Sequence, residues 1–272
     1  MATRDLSMES ARRELVLVAV ILVLLARLVE RSDAALVAAL IPIAVVVAGW
    51  AVLRAADLPG RPIVSLIVPA VLTGGAGAAI HLVPAGLGLI PALAVVAFAV
   101  DRILDLEIRL LVQPGGITDA DRTRVLAAAT VAAFAAFTGV ATLVPGGLPE
   151  PGASGPESGL TEGGIAVLAL VDALVAFALG FRVASVRYGS ARDAARSALT
   201  YAIVVAIAAG ALRAIDVPRL VGPAALTLVF YLWDALHATA PARRREPRFL
   251  WETVLLAVLA VVVVAWNLRL RA

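Results

Sequence analysis

An all-α integral membrane protein is the fold class that this chain of 272 residues predicts, and three observations predict it. Hydrophobic residues make up 62% of the sequence and the mean hydropathy is +0.98, where a water-soluble domain carries about 45–50% apolar residues. The apolar residues gather in runs of about 20, the length a helix needs to cross roughly 30 Å of hydrocarbon. Arginine-bearing connections separate the runs. Lipid offers no partner to backbone N–H and C=O groups, so runs of this kind satisfy themselves as helices.

Nine such runs follow in order: Leu15 to Val29, Ala34 to Leu53, Pro62 to Val83, Ala85 to Leu104, Val125 to Val144, Gly163 to Ala184, Ala194 to Ile215, Leu220 to Thr239 and Phe249 to Leu268. The first is followed by Glu30-Arg31-Ser32-Asp33, with no small-residue cleavage site, so it reads as a retained span and not a signal peptide. Residues 1–14 are then a cytoplasmic segment, and residues 15–270 a single polytopic membrane domain. Thr118-Asp119-Ala120-Asp121 reads as a helix cap with acidic residues in the first turn. The segment 145–164 has four prolines, seven glycines, three glutamates and no arginine, the composition of an irregular extracytoplasmic loop.

With the N-terminus placed inside, 17 of the 23 arginines fall on the cytoplasmic side and 6 outside, which sets N-in, C-out. Three outward runs begin behind an arginine and end at a proline, Arg61 to Pro84, Arg122 to Pro145 and Arg196 to Pro218, with separations of 23, 23 and 22. Each is followed by a run bearing an aspartate, Asp101, Asp172 or Asp234. The expectation is three tandem parallel helical hairpins plus peripheral helices. Small-residue ridges at Ala128, Ala132, Ala136 and at Ala202, Ala206, Gly210, Ala214 mark the fifth and seventh runs as central. The first and ninth, apolar all round, are expected at the periphery.

The composition also excludes chemistry. Cysteine is absent, which removes disulfides, thiol catalysis and cysteine metal sites. All 23 basic residues are arginine, so no lysine is present to form a retinal Schiff base or a phosphate-binding loop. His81 and His237 fall at opposite faces, so one haem cannot use both. No cofactor is expected. The net charge of only +3, spread over loops, argues orientation and not nucleic-acid binding.

Ionisable groups inside spans cost at least about 2.5 kcal/mol on insertion scales and are the natural site candidates. Asp172 stands mid-span, where it is a proton- or cation-binding carboxylate or a packing hydrogen bond to Thr73, Thr130, Thr138 or Tyr201. Asp234 and His237, three apart, share a helix face and form a candidate relay. Arg243, Arg244, Arg245 and Arg248 suit anionic lipid headgroups at about 1 kcal/mol each.

Asp101 and Asp105, with Glu107, are weak candidates for holding Mg²⁺. This cluster, with nine helices, resembles the intramembrane aromatic prenyltransferases, and the resemblance implies a magnesium diphosphate site. The chain departs from that family. Its first motif would fall at Arg54-Ala55-Ala56-Asp57 and its second after the sixth run, where Asp193 stands alone. The preferred reading of the cluster is an ion-pair network of Asp101, Arg102, Asp105 and Arg109. The functional expectation is a small permease-like protein of the bacterial inner membrane, not an enzyme. The alternatives are a membrane subunit that assembles with itself or another protein, and an enzyme acting on a lipid or isoprenoid diphosphate.

Overall fold

The computed structural model describes residues 2–30, 33–56, 62–113, 116–144, 146–148, 161–214, 220–238 and 251. Its helices are α1 (Ala2–Leu28), α2 (Ala34–Ala55), α3 (Pro62–Ser65), α4 (Ile67–Ala79), α5 (Leu89–Val112), α6 (Asp119–Leu143), α7 (Glu162–Ser185), α8 (Ala191–Ala214) and α9 (Val221–Ala238). Only Leu66 interrupts α3 and α4, so the described residues form eight helical rods. A 3₁₀ turn, Ile80–Leu82, closes α4.

Nine crossings are not what the described residues form. Among the described residues five helices are long and apolar enough to cross a membrane: Ala34–Ala55, Ile63–Leu82, Asp119–Leu143, Glu162–Ser185 and Ala191–Leu212. Of the other three rods, α1 and α5 are interrupted by clusters of charge. Their uncharged stretches are residues 15–26 of α1 and 89–100 of α5, about 18 Å each against the roughly 30 Å of a hydrocarbon core, while α9, at 18 residues, is about 27 Å long. Beyond its stretch α5 carries Asp101, Arg102, Asp105, Glu107 and Arg109, and α9 carries Asp234. The ninth run, Phe249 to Leu268, lies outside the described residues apart from Trp251, as does most of the loop 145–164. The N-in, C-out orientation rested on nine crossings and loses that basis with the count.

Packing also departs from three tandem hairpins. The most buried of the five membrane-length helices is the one containing α4, with 72% of its apolar stretch covered against 22–50% in the others. Its glycines explain why. A Cβ built on Gly75 would stand 2.5 Å from the backbone of Ala136 in α6, and one on Gly74 would stand 2.5 Å from the Pro42 ring of α2. Only a missing side chain permits such approach. Gly75 faces Ala136 while Ala78 faces Gly139, so α4 and α6 run parallel and in contact. The hairpins therefore interlock: α4 lies chiefly against α6 and α7 chiefly against α8.

In α6 the predicted ridge is packed, with Ala132 and Ala136 buried beside Ala129 and Ala133. In α8 it is covered at Ala202 but not along its whole length. The covered face is Ala194, Ala198, Tyr201, Ala202, Val205 and Ala209, whereas a Cβ on Gly210 would meet nothing within 4 Å. Leu199, Ile203 and Ile207, four apart, form the outward stripe of that helix. The first run is apolar all round yet two-faced in structure, with Leu15, Ala19, Val23 and Ala26 buried and Leu17, Ile21 and Leu28 exposed.

Candidate functional site

Three polar clusters gather at one end of the bundle, where α1, α3, α6 and α8 begin and α5, α7 and α9 finish. They are built from charges that lie just beyond apolar stretches, which is why the local sequence turns from hydrophobic to charged there.

The most buried is an ion pair between α5 and α7. Arg182 donates from Nε to both oxygens of Glu107 at 3.0 and 3.1 Å and from Nη2 to Oε2 at 2.5 Å. The side chains are 6% and 2% exposed. Ser185 accepts from Arg182 Nη1 at 3.1 Å, and Ser65 of α3 bonds to Glu107. Burial pushes the Glu107 carboxyl above its ordinary range, and Arg182 and Ser65 pull it back without cancelling the effect.

The second cluster joins the α7–α8 turn to α8 and α9. Asp234, fully buried, accepts from the Tyr201 hydroxyl at 2.5 Å and from Arg187 Nη2 at 2.6 Å. Gly180 makes room for the tyrosine, since a Cβ there would stand 2.9 Å from Cγ of Tyr201. Burial works against the Arg187 charge, but the Asp234 carboxylate outweighs it and holds the guanidinium more firmly protonated than usual. His237 is exposed, donates Nδ1–H to the Trp233 carbonyl at 3.1 Å and packs its ring against that of Trp233, with centroids 4.1 Å apart and the planes tilted by 38°. Trp233 in turn donates to Thr200 at 3.0 Å.

The third cluster ties α1 to α5. Arg12 reaches Asp101 at 3.1 Å and Asp105 at 2.9 Å, and Arg109 also pairs with Asp105. Arg102, expected in this network, instead lies over the Phe98 ring at 5.1 Å. Among the described residues no group of three or more His, Cys, Asp or Glu side chains is placed to hold a metal.

Asp172 lies apart from these clusters. It is fully buried near the middle of α7, on the face that also buries Leu168, Ala176 and Leu179. Thr73, also fully buried, donates its hydroxyl to Pro69 of its own helix at 2.7 Å, and Thr130 donates to Leu126 at 2.8 Å. Tyr201, one of the partners weighed for Asp172, binds Asp234 instead. The four arginines Arg243, Arg244, Arg245 and Arg248 lie outside the described residues.

Sequence reasoning missed the roles of Arg12, Glu107, Arg182 and Arg187. A usable signal existed for one of them: Arg182 follows the apolar run of α7 without a charge of opposite sign at i−3 or i−4, so it had to find its partner in another helix. Comparison of the chain with protein families, with curated proteins and with solved structures finds no match. The chain is an all-helical protein with several helices apolar enough to cross a membrane, consistent with a multi-pass membrane protein.

Proposed function

We propose that this chain is a small permease-like protein of the bacterial inner membrane, in which Asp172 binds a proton or a small cation. The observation that carries the reading is a carboxylate with no exposed surface near the midpoint of a membrane-length helix. Placing it there is costly, and such residues mark ion or proton paths more often than chance placement allows. Arg182, the nearest arginine on the same helix, is ten residues away, about 15 Å along the axis. The buried Thr73 and Thr138, on helices packed against α7, add hydroxyls to the membrane interior. Asp234 and Tyr201 serve in this reading as a packing lock, because Arg187 already neutralises the carboxylate.

The diphosphate-enzyme alternative loses support because Arg12 and Arg109 occupy Asp101 and Asp105. The test is reconstitution into liposomes that enclose a pH-sensitive dye. Under an imposed potential the wild type acidifies or alkalinises the lumen, and Asp172→Asn reduces the rate by at least about tenfold, the loss expected of a proton-transfer group, while its helical content is kept. If Asp172→Leu is as active and as stable as wild type, the site is wrong. A wild type without any flux removes transport and leaves the membrane-subunit reading.

A further inference from the structure

Between the first turns of α1 and the last turns of α5 lies a cleft of about 560 Å³. Its charged lining is Glu9, Arg12, Asp105 and Arg109, two of each sign, and its apolar lining is Met8, Ile108 and Val112. The cleft stands where the uncharged stretch of α5 gives way to charge, the level at which lipid headgroups meet water.

The hydrogen bonds inside it are incompletely used. Arg12 donates Nη1 to Asp105 while its buried Nε, 3.1 Å from Asp101, makes an ion pair without a hydrogen bond, and Arg109 spends Nε on the Asp105 carbonyl and Nη2 on its carboxylate. Among the described residues this leaves Nη2 of Arg12 and Nη1 of Arg109 with N–H groups to donate. Asp105, held between both guanidiniums, positions them as two jaws around one space. Glu9 binds Arg13 through Oε1, which leaves Oε2 as an acceptor at the edge of the same space.

We propose that this cleft is a binding site for one ethanolamine phospholipid. The phosphate accepts from Arg12 and Arg109, as guanidinium forks favour. The primary ammonium donates to Glu9, and the upper acyl chain lies along Met8, Ile108 and Val112. The balanced lining selects the class of lipid. A headgroup with net negative charge and no ammonium leaves Oε2 of Glu9 without a donor from the lipid. A choline headgroup has no N–H to donate. A soluble phosphate ester lacks the apolar part that the other wall would cover.

The experiment is native mass spectrometry of the full chain in detergent, titrated with an equimolar mixture of dioleoyl-phosphatidylethanolamine, -phosphatidylglycerol and -phosphatidylcholine of distinct masses. One ethanolamine lipid should be retained about tenfold over either competitor, and Arg109→Gln should lower that retention by about tenfold, the loss of one charge-assisted hydrogen bond. Arg109 is largely exposed, so this variant keeps the fold. Arg124→Gln, on α6 and outside the cleft, should retain the lipid as wild type does. Equal retention of the three lipids, or unchanged retention in Arg109→Gln, would overturn the proposal. Displacement by soluble phosphoethanolamine at equal concentration would do the same, because it would make the ligand a soluble zwitterion.

Discussion

Glu107 and Arg182 bring a full charge of each sign out of water, and the two side chains tolerate this because three N–H···O contacts link them and Ser65 and Ser185 bind their free edges. Taking away one partner leaves the other buried and unmatched. Glu107→Gln or Arg182→Met should each destabilise the protein by about 3–5 kcal/mol. The double variant Glu107→Met with Arg182→Met should recover most of the loss, since well-packed apolar side chains replace buried pairs at little cost. Denaturant unfolding in detergent micelles, run as a double-mutant cycle, measures the coupling. Tyr201→Phe is a milder test of the other buried cluster. It removes one hydrogen bond to a carboxylate that keeps Arg187, and about 1.5–3 kcal/mol is expected in the same assay.

Among the helices, α4 owes its central place to the absence of side chains. Its run Thr73-Gly74-Gly75-Ala76-Gly77 meets α2 through Gly74 and Gly77 and α6 through Gly75. That run was open to sequence reading, but attention to alanine ridges placed the centre in the fifth and seventh runs instead. Small residues allow close approach without naming the neighbour, and in α8 a Cβ on Gly210 would meet open space although Ala202 of the same ridge is buried. Gly75→Val should therefore push α4 and α6 apart and destabilise by about 3 kcal/mol, the upper range for overpacking. Gly210→Ala should be neutral or stabilising by up to about 1 kcal/mol, because it improves helix propensity and meets nothing. Thermal unfolding of the two variants side by side separates packing from propensity. The cap at α6 was legible outright. Thr118 accepts from the Asp121 N–H at 3.2 Å and the Asp121 carboxylate accepts from the Thr118 N–H at 3.1 Å, a local pattern that needs no tertiary partner.

For the molecule as a whole, alternation of membrane-length helices makes a prediction that the cysteine-free chain is well suited to test. α6 runs from just after Ile117 to just before Val144, with Leu148 beyond its end, and α7 runs back toward Gly189. A membrane-impermeant thiol reagent applied to sealed vesicles should label Ile117→Cys and Gly189→Cys from one side and Leu148→Cys from the other. Labelling of all three from one side would remove α6 and α7 as crossings. The number of crossings was the least secure part of the sequence reading, because hydropathy averages over the charges of α1 and α5 that shorten their uncharged stretches. That this is an all-helical chain with apolar helices of membrane length follows from composition and run length alone, since the bilayer imposes both on any backbone that enters it. Which arginine meets which carboxylate was decided only by the tertiary structure: Arg182 and Glu107 are 75 residues apart and Arg12 and Asp105 are 93 apart. No local period links such positions. Their pairing depends on which glycines and alanines let two helices touch, and that depends on the packed whole.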